Sequence, residues 1–269
     1  MEIQQTLTLS SAEQYRGGIT IKSPVELIAM KEAGRVVAAT IQLLVSSLEP
    51  GINTKRLDAI ASREIRRLGA SPAFKGYRGF PATICVSLNQ EIVHGIPGGR
   101  IIRDGDIVSM DVGAIVDGFY ADAAVTAPIG KVSPEAERLI ESTRQSMEMG
   151  IKQAVVGNRV GDISAAVQRF AEGRGYGVVR EYVGHGVGRA LHEEPSIPNF
   201  GEPGKGPLLR PGMVIAIEPM LNVGGWRTRV LKDEWTVVTA DGTLSAHFEN
   251  TIAITEEGPQ VLTSLNGSK

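Results

Sequence analysis

The chain has 269 residues, 42% of them apolar, a formal net charge of −2 and one cysteine, Cys85. That length and apolar share suit one large domain or two small ones with a sizeable core. The balanced charge excludes a whole-molecule field steering towards nucleic acid or an acidic membrane, and the lone cysteine excludes a disulfide framework and a CxxC zinc site.

No long apolar run marks a signal peptide or a membrane span, so a cytoplasmic protein is the expectation. Residues 1–22 are polar and aperiodic and read as an N-terminal arm ahead of a single domain over 23–269. Ser23 can cap a helix, Pro24 fits its first position, and Glu26 completes a capping box. Leu27, Met30, Val37, Ile41 and Leu44 follow at helical spacing until Pro50-Gly51. A second helix is expected from Thr54 to about Leu68, with Gly69 as its stop, and the basic run Arg63–Arg67 as its solvated face. Strands are expected over about 82–94, 107–116 and 119–127. Ser133-Pro134 opens a third helix, Gly157 interrupts it, and a fourth runs from about Asp162 to Glu172. Further strands are expected over about 177–183, 213–219, 228–238 and 246–255. Helices segregated from antiparallel strands imply an α+β class.

The order of elements repeats. Residues 51–69 align with 157–175 at a constant offset of 106, and GDIVSMD (105–111) with GMVIAIE (212–218) at 107. The chain therefore reads as two similar halves, about 23–130 and 131–263. Asp111 and Glu218 then occupy equivalent points, one acid arriving from each half.

The stretch DVGAIVDGFYAD (111–122) carries the most chemistry. Asp117-Gly118 is a strong two-residue turn signal, so the strands either side form a hairpin. In that register Asp111 faces Ala124, and Asp122 is its diagonal neighbour on the same face, roughly 7–8 Å away. Two unpaired carboxylates in an apolar sheet are costly, and a divalent cation is the simplest compensation. Glu218 in MVIAIEPM and Glu249 ahead of TIAIT are acids in similar settings. Any one of the four reads most simply as a loop cap or a partner of arginine; four together do not.

Three of the four histidines lie in turns punctuated by glycine or proline: His94 in HGIP, His185 in GHGVG and His192 in HEEP. Glycines beside His185 suit a backbone that must present an imidazole closely. His247 reads as structural. Four carboxylates and one imidazole make an oxygen-rich set suited to Mn²⁺, Fe²⁺, Co²⁺ or Zn²⁺, and bridging carboxylates suit two metals roughly 3.5–4 Å apart. Hydrolysis is the chemistry that follows. The Gly-Gly and Gly-x-Gly pieces form no dinucleotide fingerprint, no P-loop is present, and Cys85 in TICVSLN reads as core rather than nucleophile.

The ordered set HGIP, DVGAIVDGFYAD, EYVGHGVGRALHEEP, IEPM and WTVVTADGTLSAHFENT resembles methionine aminopeptidase of the shorter bacterial type, over about residues 23–263. The resemblance implies the pita-bread fold, with two pseudo-symmetric halves around a dinuclear metal centre in a single catalytic domain. It implies Asp111, Asp122, His185, Glu218 and Glu249 as metal ligands, Asp122 and Glu249 bridging, and two divalent ions (Co, Mn, Fe or Zn). Glu218 would also be the general base, His94 would contact the scissile amide, and His192 the substrate carbonyl. Tyr77, Phe80, Cys85, Leu191 and Trp235 would line the methionine pocket, with Phe74 at its edge; an apolar, mostly aromatic pocket suits a thioether. The implied substrates are nascent polypeptide N-termini with a small second residue, with the ribosome as a candidate place of encounter and a monomer as the expected state.

The chain departs from the family at Asn250, where histidine is usual, at Ala123 and Ala124, where threonine or serine is common, and at Tyr120, where histidine is frequent. These put the hydrogen bonds around the ligands in question, changes that typically alter affinity or activity roughly 10–100-fold. An Xaa-Pro aminopeptidase or prolidase on the same fold is the alternative. Those enzymes usually carry an extra N-terminal domain, whereas only about 22 residues precede the first helix here. The 33 residues from His185 to Glu218 leave no room for the insertion of the second methionine aminopeptidase type. A non-catalytic binding protein on the scaffold would be expected to lack some of the five ligands.

Overall fold

The first described helix forms because its first turn satisfies its own orphan amides. In the computed structural model, which describes residues 18–264, Ser23 Oγ accepts from the Glu26 N–H at 3.4 Å and the Glu26 carboxylate accepts from the Ser23 N–H at 2.9 Å. Most of the expected arm, residues 1–17, lies outside the described residues; Ile19 and Lys22 of its last stretch are buried.

The first half contains α1 (Pro24–Ser46), α2 (Thr54–Arg67), β1 (Ser71–Pro72), β2 (Ile84–Leu88), β3 (Glu91–Val93), β4 (Ile107–Val116) and β5 (Phe119–Pro128). The second contains α3 (Pro134–Gln153), α4 (Val160–Glu172), β6 (Gly177–Val178), β7 (Gly184–Gly186), β8 (Glu193–Ile197), β9 (Val214–Ile217) and β10 (Met220–Asn222). It continues with β11 (Thr228–Val230), β12 (Val237–Thr239), β13 (Ser245–His247), β14 (Glu249–Thr255) and β15 (Gly258–Val261).

Nine strands form one antiparallel sheet in the order β1-β4-β5-β14-β9-β7-β8, with β2 also on β4 and β15 also on β14. The β4–β5 hairpin has the expected register: Val116 faces Phe119, Gly113 faces Asp122 and Asp111 faces Ala124. Asp117 at φ 50° and Gly118 at φ 78° make the primed turn that this twist favours. Strand β14 then pairs with β5 through Glu249 and Ala124 and with β9 through Asn250 and Ile217. The central β5–β14 pair is thus flanked by β4 on one side and β9 on the other, the two strands that the internal repeat equates.

Helices cover one face of this sheet in two matching cores. Val36, Val37 and Leu44 of α1 and Leu57 and Ile65 of α2 pack on Val86, Val108, Met110 and Val112. Met147 of α3 and Ile163 of α4 pack on Ile215, Ile217, Ile252 and Ile254. Full burial of each such side chain contributes roughly 1.5–3 kcal/mol. The helices therefore set the sheet's rigidity on one face and leave the other for the site. Among the described residues, no helix is long and apolar enough to cross a membrane.

Strand boundaries differ from expectation where a turn residue intervenes. The run over 82–94 is two strands, because Asn89 takes φ 58° and its carboxamide bonds both the Ile107 N–H and Asp106. The run over 228–238 divides around Glu234 at φ 64°, where the Asp233 carboxylate accepts from the Trp235 and Thr236 N–H groups. Phe248 interrupts the run over 246–255, and the run over 177–183 is strand only at 177–178. Strands β7, β8 and β15 are too short or too rich in glycine, proline and charge to show in the sequence.

Candidate metal centre

Side chains alternate along a strand, so one face of the central sheet collects acids from neighbouring strands. Asp111 comes from β4, Asp122 from β5, Glu249 from the start of β14, Glu218 from the residue after β9 and His185 from β7. The Nε2 atom of His185 lies 3.6 Å from Asp122 Oδ2, 3.6 Å from Glu218 Oε1 and 4.0 Å from Glu249 Oε1. Asp122, His185 and Glu249 each offer a donor atom within 4.8 Å of the others'.

The electrostatics of this cluster call for a cation. Burial first, and then the Asp122 charge, push the Asp111 carboxyl well above the carboxylate range. Glu218 and Glu249 are pushed up likewise, by burial and then by the neighbouring acids. Burial raises Asp122 to about 6, against the opposing hydrogen bond from Thr251. Asp111 Oδ1 is buried without a hydrogen-bond partner among the described residues. Like charges that raise one another's pKa are held together at a cost unless protons or a metal neutralise them.

The tautomer of His185 suits the metal. Its Nδ1 lies 3.0 Å from the Gly186 carbonyl, which can only accept, so Nδ1 carries the hydrogen and Nε2 presents a lone pair. Burial holds this imidazole down to about 4, so it stays neutral near pH 7. A neutral lone pair facing three carboxylates is the geometry of a metal ligand, with its other nitrogen fixed by a carbonyl as metal-binding histidines usually are. The flanking glycines let the backbone come this close: a Cβ at Gly184 would sit 2.3 Å from the Ala216 carbonyl oxygen, and one at Gly186 2.2 Å from that of Glu194. The residues thus fit a divalent ion.

Around the cluster stand residues outside the expected ligand set. Thr251, two positions along β14 from Glu249, places its hydroxyl 2.9 Å from Asp122 Oδ1 and accepts from the Asp122 N–H at 3.1 Å. His247, expected to be structural, is buried with its Nε2 3.7 Å from Glu218 Oε2 and without a hydrogen-bond partner among the described residues. The period of two from Glu249 was the available signal for both. Asn199 donates to the Glu218 carbonyl at 3.1 Å from a loop that carries no such signal.

Above the acids opens a cavity of about 160 Å³ lined by Phe74, Tyr77, Phe80, Cys85, Leu191 and Trp235, together with His94, His192 and Arg78. Every residue expected at the site reaches this one cavity; Arg78 was not expected there. The Trp235 and Phe80 rings meet edge to face at 5.1 Å, and Trp235 also meets His94 at 6.4 Å. Burial lowers the pKa of His94. His192 stacks on Tyr77 with centroids 5.4 Å apart, its Nδ1 2.9 Å from the tyrosine hydroxyl, and its ring centroid lies 4.1 Å from that of His185. Cys85 faces Asp111 across β2 and β4, and burial, then that acid, push its thiol well up, which suits wall rather than nucleophile.

Residues 28–256 match metallopeptidase family M24. Methionine aminopeptidase 1 of Bacillus subtilis is 54% identical over 91% of this chain and 99% of its own length. The chain belongs to the methionine aminopeptidases of metallopeptidase family M24. A solved methionine aminopeptidase of Thermotoga maritima superposes with a TM-score of 0.90 at 46% identity, over 91% of this chain and 99% of that one. The prolidase of Pyrococcus furiosus shares the fold, with a TM-score of 0.74 at 22% identity, but this chain covers only 65% of it. The pita-bread fold is therefore common to both groups, and identity together with coverage places this chain with the methionine aminopeptidases rather than the Xaa-Pro enzymes.

Within this methionine aminopeptidase, the departures sort by sheet face. Asn250 points away from the acids: its carboxamide oxygen accepts from Thr263 at 2.7 Å and its nitrogen reaches the Met147 sulfur. These partners, Met147 and Thr263, are not metal-ligand candidates. Ala123 faces the helical core, and Ala124 shares the face of Asp122. Tyr120 packs against the pocket cluster, and its N–H donates to the Gly188 carbonyl at 2.9 Å.

Proposed function

We propose that the protein removes the initiator methionine from nascent polypeptides whose second residue is small, in the cytoplasm, with two divalent ions held by Asp111, Asp122, His185, Glu218 and Glu249. The observation that carries it is the neutral lone pair of His185 aimed at the buried acids on the floor of an apolar pocket. Such ions, when bound, polarise the scissile carbonyl and make water a stronger acid; Mn²⁺, Co²⁺, Fe²⁺ and Zn²⁺ suit the donors.

The chain's own groups do the rest. Phe74, Tyr77, Phe80, Cys85, Leu191 and Trp235 bind the thioether side chain and exclude water from it. Glu218, within reach of both His185 and His247, takes the proton of the attacking water. His192 presents a neutral ring held by Tyr77, and it orients the substrate carbonyl. His94, fixed edge-on between Tyr182 and Trp235, steadies the scissile amide. Enclosure of the methionine side chain selects the first residue of the substrate.

The test compares Met-Ala-Ser, Met-Leu-Ser and Ala-Pro-Ser peptides with the metal varied. Cleavage of Met-Ala-Ser should be fastest, vanish in excess chelator and return with Mn²⁺ or Co²⁺. Full activity in chelator overturns the metal reading, and preference for Ala-Pro-Ser overturns the substrate reading.

A further inference from the structure

The residues just before α1 are tied to the loop that carries His192. Lys22 is buried, with its side chain only 4% exposed, and its Nζ donates to Glu193 Oε2 at 2.8 Å and to Thr20 Oγ1 at 2.5 Å. The Thr20 hydroxyl donates to the same Glu193 oxygen at 2.5 Å. The other oxygen, Oε1, accepts from the Ala190 N–H at 3.2 Å. Glu193 thus joins the segment before α1 to the middle of the loop, and it directly follows His192 in sequence.

Besides the buried side chains of Val187 and Leu191 and the contact of His192 with Tyr77, that loop is held by few bonds. Residues 187–192 form no helix or strand, and His192 itself is exposed. Its backbone bonds are Val187 N–H to the Val214 carbonyl at 3.0 Å, Gly188 N–H to the Ala190 carbonyl at 3.1 Å, and Tyr120 N–H to the Gly188 carbonyl at 2.9 Å. Lys22, by contrast, is also fixed through its backbone, whose N–H donates to the Gly212 carbonyl at 2.7 Å. A lesser tie runs parallel, from Arg189 to Glu26 in the first turn of α1 at 3.2 Å. Burial pushes Lys22 down from its usual pKa, but the hydrogen bond and charge of Glu193 offset part of that. Burial alone would raise Glu193, yet its hydrogen bonds from Lys22 and Thr20 bring it below its ordinary value. A buried pair of this kind is poor evidence for added stability, because desolvation offsets the attraction. Its consequence is geometric.

We propose that Lys22 is a positioning residue for the reaction: through Glu193 it holds the loop 188–193 so that His192 stands over the acids. This rests on the proposed role of His192 towards the substrate. Misplacement of a contacting group by about 1 Å can lower rate roughly 100-fold, so loss of the tie should be visible in turnover.

The experiment uses the full chain loaded with Mn²⁺. Lys22→Met should lower kcat on Met-Ala-Ser by about 10–100-fold with the His192 of the native chain, and by less than about threefold on a His192→Ala background, because the two changes act through one group. Hydrogen exchange of the metal-free protein should speed up over 187–193 in Lys22→Met and stay unchanged in α2 and α4. The double variant Lys22→Met/Glu193→Leu replaces the pair with apolar groups, so it should regain thermal stability but not turnover. Exchange unaltered over 187–193, equal loss on both His192 backgrounds, or return of turnover with stability in the double variant each overturns the proposal. Failure of the underlying reading looks different: His192→Ala alone would then keep native kcat, whatever the exchange of the loop.

Discussion

Thr251→Val isolates the hydrogen bonds that hold Asp122. The substitution keeps the shape of the side chain and removes one hydroxyl from the buried interface of β5 and β14. That hydroxyl lies 2.9 Å from Asp122 Oδ1 and 2.8 Å from the Asp122 carbonyl oxygen, and it accepts from the Asp122 N–H at 3.1 Å. Without it, a buried N–H loses its acceptor and a carboxylate loses a donor. An unsatisfied buried group costs roughly 1–3 kcal/mol, and a hydrogen bond to a charged group contributes about 1.5–3 kcal/mol. The methyl that replaces the hydroxyl returns part of this, so a net loss of roughly 2–4 kcal/mol is expected, or a Tm lower by about 5–15 °C at this size. The same hydroxyl lowers the pKa of Asp122, so its removal should raise that pKa and weaken Mn²⁺ binding about 10–100-fold. Thermal unfolding in chelator measures the first effect, and calorimetric titration with Mn²⁺ measures the second. A Tm within about 2 °C of native together with unchanged affinity would refute the argument.

Glu218→Gln should leave the Tm of the metal-free protein near native or above it, because a repelling acid is gone, while kcat on Met-Ala-Ser falls by about 100-fold or more; near-normal kcat removes Glu218 from the role of base. Gly186→Ala places a methyl 2.2 Å from the Glu194 carbonyl oxygen, so β7 must shift, with roughly 1–3 kcal/mol lost and metal affinity reduced through His185; native affinity by calorimetry would show that β7 has slack. Trp235→Ala opens the wall that meets Phe80 and His94, and should raise KM for Met-Ala-Ser more than about tenfold; steady-state kinetics decides. His247 has its pKa lowered to about 3 by burial, so the unfolded chain takes up its proton first, and this contribution to stability is whole above pH about 6.5 and falls as pH drops towards 3. Relative to native, His247→Gln should therefore gain about 2 kcal/mol between pH 7 and pH 5 in urea unfolding, and a difference that does not move with pH would contradict it.

Much of this protein was legible in its residues because the signals are local. The cap at Ser23, the turn at Asp117-Gly118 and the period of two along 107–128 place α1 and the central hairpin with their registers, since each rests on backbone preferences within a few residues. The offset between 105–111 and 212–218 places β4 and β9 either side of the middle of the sheet. Acids inside apolar strands mark candidate ligands for the same reason, because a strand's alternation says which way each one points. What tertiary structure alone decided is non-local. The alternation from Glu249 gives the face of Thr251, but nothing near it in sequence says that it meets Asp122, 129 positions earlier. His185 Nε2 meets Asp122, Glu218 and Glu249 only once β5, β9 and β14 are assembled beside β7. Arg78 reaches the pocket through a left-handed turn, and Asn250 turns its back on the acids through its place in a strand order that no single segment contains. Lys22 lies in a stretch that shows no pattern as sequence, because its partner is 171 residues away and the contact exists only once β8 is in place. Local sequence sets which groups face one way; packing of distant strands sets which of them meet, because burial and hydrogen bonding are satisfied only across the assembled sheet.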